Sequence, residues 1–91
     1  PKMVSEKLTV TNQMGFHMRP ANVFVSAMAK YKSEVLIEFN GKEINGKSIM
    51  NIMAACIKCG SEIEIRCIGE DEADALKEAV ELVKSGLGDE N

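Results

Sequence analysis

Tryptophan is absent from the chain, aromatic residues make up only 4% of it, and its 91 residues include a single histidine. Lys and Arg (11) are outnumbered by Asp and Glu (14), for a formal net charge of −3. That is the wrong sign for a protein held to nucleic acid by counterion release, and no basic-aromatic sheet motif offers bases a stacking platform. Binding to nucleic acid is therefore excluded as a main role. No apolar run approaches the roughly 18 residues a membrane span requires, so no membrane insertion is expected. Linker composition, internal repeats and low-complexity tracts are also missing. Three cysteines, an odd number, cannot all pair within one chain, and no basic n-region with an apolar h-region opens the sequence. A reducing cytoplasm is the expected compartment.

What remains is the composition of a single globular domain over residues 1–91, 45% hydrophobic and long enough to bury one core. Residues 4–11 alternate, with Val4, Leu8 and Val10 on one face and Ser5, Lys7, Thr9 and Thr11 on the other, the period of a half-buried strand. A loop from Asn12 leads to Pro20, which suits the first turn of a helix because its missing N–H would have had no partner there. Phe24, Ala27, Met28 and Tyr31 give that helix a buried stripe ending near Lys32. Val35, Ile37 and Phe39 alternate, and Asn40-Gly41 predicts a tight hairpin into a strand at 42–45. Gly46-Lys47-Ser48 opens a second helix, with Ile49, Ile52, Met53 and Cys56 on its buried stripe and Gly60 as terminator. A strand at 63–67 and a third helix follow, the helix capped by the Asp71 carboxylate and ended by Gly86. This βαββαβα order predicts an α+β sandwich, one largely antiparallel sheet with helices on one face. The ferredoxin-like fold shares the first six elements.

Gly15-Phe16-His17-Met18-Arg19-Pro20-Ala21 places the histidine just before a helix. First-turn amides point outward unsatisfied and carry partial positive charge, so an anion beside His17 would meet backbone N–H groups of Met18 and Arg19 and the Arg19 guanidinium. The same field opposes the imidazolium form and favours a neutral, nucleophilic ring. A neutral imidazole facing an anion cradle suits phosphoryl transfer, which needs an in-line nucleophile and donors for the equatorial oxygens.

This segment resembles the active-site loop of the histidine-containing phosphocarrier family, HPr, of the sugar phosphotransferase system. Phe39-Asn40-Gly41-Lys42, Ile44-Asn45, Lys47-Ser48-Ile49-Met50 and Gly60-Ser61-Glu62-Ile63 are similar to that family's hairpin, regulatory-serine helix and last strand, and the likeness extends to the Gly86-Leu87-Gly88 tail. The resemblance implies an open-faced sandwich of four antiparallel strands with three helices on one face. It implies that His17 accepts a phosphoryl group on Nδ1 from phosphorylated Enzyme I and passes it to enzyme IIA domains, with Arg19 steadying the phosphoryl oxygens. It implies no cofactor, and a covalent relay rather than a multiple-turnover enzyme. Ser48 matches a position that a serine kinase/phosphorylase modifies in some bacteria to control catabolite repression, with a transcriptional regulator as a further partner; the protein is expected to be a monomer. Phe16 stands where a branched aliphatic is usual and Met18 where a small residue is usual. Asn22, Ser26 and Ala29 lack the basic character often seen along the first helix, which predicts weaker steering to Enzyme I.

Other readings stand beside this one. Ser48 also suits an ordinary helix cap, and a phosphate there would oppose a partner burying the neighbouring apolar surface. Phe16, Met18, Ile49, Met50 and Met53 are the expected partner-docking residues, Met50 foremost, because methionine suits an adaptable surface. Cys56, Cys59, Cys67 and His17 make a Cys₃His set on paper, but one CxxC without a second pair is weak, Cys56 and Cys67 fall on predicted core faces, and no metal site is expected. The alternatives to a carrier are an HPr-like catabolite regulator acting mainly through Ser48, and a small ferredoxin-like phosphate-processing hydrolase.

Overall fold

Strand alternation puts Val35 and Ile37 on the same side as Ile63, Ile65 and Cys67, and this shared face forms the floor of the core. The computed structural model describes residues 3–88; positions 1, 2 and 89–91 of the expected single domain lie outside them. The elements are β1 (Met3–Thr9), α1 (Met18–Met28), β2 (Glu34–Phe39), β3 (Lys42–Asn45), α2 (Ile49–Ala55), β4 (Glu62–Ile68) and α3 (Glu72–Lys84). The strands form one sheet in the order β1-β4-β2-β3, and every neighbouring pair is antiparallel. This is the expected βαββαβα sandwich. The ferredoxin-like sheet is also antiparallel but sets β1 and β3 side by side at its centre, whereas here β4 and β2 hold the centre with β1 and β3 at the two edges, so that arrangement, and the hydrolase built on it, does not hold.

Register explains which residues enter the core. Cys67 lies opposite both Val4 and Val35, and Ile65 opposite both Glu6 and Ile37. α3 covers β1 and β4, α2 packs on β3, and α1 contacts both α2 and α3. Glu6 has the inward parity but sits on an edge strand, where it reaches Lys84 of α3 at 3.7 Å instead of entering the core. On the open face, Arg66 bridges Glu38, Glu43 and Glu64 at 2.9, 3.2 and 3.1 Å, which keeps this side polar. Asn40 and Gly41 take positive φ values of 52° and 78°, the hairpin geometry their sequence predicts.

Several boundaries differ from the sequence-based expectation. β1 ends at Thr9, although Val10 still exchanges backbone hydrogen bonds with Ser61 and Gly60 at 2.9 and 2.8 Å. α1 starts at Met18, with His17 as its N-cap residue and Pro20 buried in the first turn, and it ends at Met28 rather than near Lys32. α2 stops at Ala55 because Cys56 turns left-handed (φ 56°), which sends Ile57 into the core and leaves Cys56 exposed instead of on the buried stripe. Asp71 is the N-cap residue of α3, but its side chain does not make the expected cap hydrogen bond. Its carboxylate instead accepts from the amides of Lys32 and Ser33, both at 2.9 Å, and from the Ser33 hydroxyl. The Glu72 side chain receives the Gly69 amide at 3.0 Å.

Candidate functional site

The loop that delivers His17 is built by Asn12 and Gly15. Asn12 is fully buried; its Nδ2 donates to the Gly15 carbonyl at 2.6 Å, and the Gly15 amide donates to the Asn12 carbonyl at 3.0 Å. Gly15 has a φ of 63°, and a Cβ there would lie 2.3 Å from the Ile57 carbonyl oxygen, so only glycine fits. The next amide, of Phe16, donates to that same carbonyl at 2.9 Å. Farther out, the Cys59 Sγ lies 3.6 Å from the Thr11 carbonyl oxygen. The segment after α2 therefore braces the segment before α1. Neither Asn12 nor Ile57 was singled out by sequence pattern; an Asn followed by Gly three residues later was the available turn signal.

Phe16 was expected among the docking residues, and the structure corrects this. It is 3% exposed, with its ring edge-on to Phe24 at 5.7 Å between centroids, so its bulk fills the core under the loop. His17 follows, half-buried, with an extended backbone (φ −81°, ψ −171°) and no side-chain capping hydrogen bond. Its carbonyl accepts the Ala21 amide at 3.0 Å, closing the first turn. Pro20 has no N–H. The first-turn amides that the helix's own carbonyls cannot reach are thus those of Met18 and Arg19, the pair predicted to face an anion. Arg19 is exposed on the same turn.

α2 runs alongside α1 in the opposite sense. Ile57 follows its C-terminal end and meets Phe16, whereas Lys47 precedes its N-terminal end and donates Nζ to the Tyr31 carbonyl, beyond the end of α1, at 2.6 Å. Ser48 therefore stands at the end of α2 away from the His17 loop. Its Oγ caps the helix by accepting the Asn51 amide at 3.2 Å. Of the remaining docking candidates, Met18 (63% exposed) and Met50 (82%) are open, whereas Ile49 and Met53 pack partly against the core. Met14, at 70%, adds an exposed methionine on the other side of His17.

The three cysteines and His17 do not assemble. Cys67 lies in the sheet core, where burial pushes its thiol up to about 11, while Cys56 and Cys59 are exposed. Among the described residues, no group of three or more His, Cys, Asp or Glu is placed to hold a metal ion. No helix among them is long and apolar enough to cross a membrane.

An antiparallel open-faced sandwich presenting one histidine at the start of its first helix defines a small class of proteins. The family described as "PTS HPr component phosphorylation site" matches residues 4–85. The phosphocarrier protein HPr of Neisseria meningitidis is 33% identical over 96% of this chain and 98% of its own length. The HPr-like protein Crh of Bacillus subtilis is 37% identical over 90% of this chain and 96% of its own. Among solved structures, HPr-C-His from Thermoanaerobacter tengcongensis superposes with a TM-score of 0.92 at 34% identity, covering 97% of this chain and 99% of that one. The chain belongs to the HPr phosphocarrier family of the phosphotransferase system.

Proposed function

We propose that the protein is a covalent phosphoryl relay in which His17 is the acceptor. The observation that carries this reading is the placement of His17 as N-cap of α1, beside the outward-pointing amides of Met18 and Arg19. Phosphorylated Enzyme I is the donor. The bond between phosphorus and the donor breaks as a new bond forms between phosphorus and His17 Nδ1, the imidazole giving up its ring proton and the departing donor group keeping the electron pair of the broken bond. The first-turn amides and the Arg19 guanidinium receive the oxygens, whose charge would otherwise oppose the transfer. An enzyme IIA domain then takes the group in the same manner. Met18 and Met50 supply an adaptable apolar surface for both partners. The work of such a relay is done in the cytoplasm, by a monomer.

Ser48 is a second phosphorylation site in this reading, addressed by a serine kinase/phosphorylase and read by a transcriptional regulator. Likeness to Crh, the catabolite repression HPr of Bacillus subtilis, supports catabolite regulation as the second reading, with Ser48 as the site this reading assigns to it.

Incubation with phosphoenolpyruvate and purified Enzyme I, followed by mass spectrometry of wild type, His17→Ala and Ser48→Ala, separates the two. One acid-labile phosphoryl group lost only in His17→Ala is the result expected of a carrier. No uptake by folded wild-type protein overturns the relay and leaves regulation through Ser48.

A further inference from the structure

A carboxamide buried in an apolar setting costs several kcal/mol unless it is paired, so a fully buried asparagine in a surface turn calls for a reason. The reason lies in one peptide unit. The Gly15–Phe16 peptide offers a carbonyl oxygen on one side and an N–H on the other. Asn12 Nδ2 donates to the carbonyl at 2.6 Å, and the N–H donates to Ile57 at 2.9 Å. The plane of this peptide is thereby held from both sides, and rotation about it is blocked. Phe16 is anchored further by its ring against Phe24. His17 is the next residue, so its approach to α1 is set one peptide upstream.

We infer that Asn12 is a positioning residue for the reaction at His17: its buried carboxamide fixes the Gly15–Phe16 peptide and thereby the direction in which the imidazole faces the start of α1. This rests on the phosphocarrier reading above. Asn12 is buried, so it adds nothing to a partner-facing surface; its removal slows the transfer step without weakening encounter with the donor.

Two variants test this against a merely structural role. Asn12→Ala removes the donor at every pH. Asn12→Asp keeps the shape but sets a carboxylate against the Gly15 carbonyl, and regains a donor only when the acid is protonated. The titratable and charged groups flanking the turn are His17 and Arg19 on its own segment and Lys58 and Cys59 on the connector packed against it. Wild type measured at each pH corrects for their titration. At pH 8 both variants are expected to lower the limiting rate of phosphoryl transfer from Enzyme I about tenfold, the scale of one lost buried hydrogen bond, with an unchanged half-saturating donor concentration. Relative to wild type, Asn12→Asp is expected to recover at pH 6 and Asn12→Ala is not.

Limiting rates equal to wild type, or equal losses in both variants at every pH, would overturn the inference. Amide hydrogen exchange of Phe16, which needs no donor protein, is expected to quicken in Asn12→Ala while exchange in β4 stays slow; unchanged protection at Phe16 also overturns it. If wild type accepts no phosphoryl group, the carrier reading is what has failed, and the exchange measurement still decides whether Asn12 holds the peptide.

Discussion

The Phe16 amide and the Ile57 carbonyl, 41 positions apart in the sequence, meet at 2.9 Å and tie the loop before α1 to the connector after α2. Glycine at position 15 makes the contact possible, because any side chain there would strike the same carbonyl. Gly15→Ala is expected to cost about 2 kcal/mol or more, from left-handed strain plus the clash, and to lower the melting midpoint by roughly 10 °C. Thermal unfolding monitored by circular dichroism checks it; a midpoint within a degree or two of wild type would contradict the packing described.

Phe16 and Met18 flank the same histidine and should behave oppositely. Phe16→Ala removes a core ring and is expected to destabilise by about 3–5 kcal/mol. Met18→Ala alters an exposed side chain, with an expected stability change within about 0.5 kcal/mol, and acts on the concentration dependence of transfer from Enzyme I. Urea unfolding together with transfer kinetics separates the two; a stability loss in Met18→Ala as large as that in Phe16→Ala would refute the assignment.

Ser48 serves α2 as a cap whatever else it does. Ser48→Ala is expected to cost about 1 kcal/mol of stability with little effect on transfer, whereas Ser48→Asp preserves a capping oxygen and slows Enzyme I coupling through its charge beside an apolar surface. Comparing both variants in the transfer assay is the check, and equal rates would rule out the regulatory effect.

The Asp71 carboxyl, held at about 2 against an ordinary 3.8 by hydrogen bonds from Ser33 and Lys32, gives stability a defined acid limb. The carboxylate accepts these bonds only while ionised, so its contribution is complete above about pH 4 and disappears as the pH falls towards 2. Asp71→Asn should flatten that limb. Denaturation midpoints of wild type and variant between pH 5 and pH 2 measure the difference; parallel curves would mean that Asp71 does not link the 32–33 loop to α3.

Thiol reactivity should divide by burial. Cys56 and Cys59 are exposed, and Cys67 is buried with its thiol raised to about 11. A chromogenic disulfide reagent at pH 8 is therefore expected to modify two thiols in the native protein and the third only after unfolding. Three fast reactions would place Cys67 outside the core.

Local pattern carried a large part of this molecule. Alternation in 35–39 and 63–67, helical stripes through Phe24, Met28 and Ile52, and the Asn40-Gly41 turn each depend on neighbours within a few residues, so the order of elements was legible without coordinates. The same holds for His17 and Ser48 at helix starts, since Pro20 and Ser48 mark those starts by their own backbone chemistry. Strand order was not legible, because alternation names the buried face and not the neighbour that covers it. Nor were the burial of Phe16, the early end of α2 at Cys56, or the role of Asn12. Asp71 looked like a cap from its position, yet its oxygens bond to residues 38 and 39 positions earlier. The sequence by itself determined which segments form elements and where the histidine stands among them. Tertiary structure alone decided which peptide is clamped beneath His17 and which bulky side chains remain outside, because a buried polar group takes whichever partner packing brings within reach, and periodicity holds no record of contacts between distant segments.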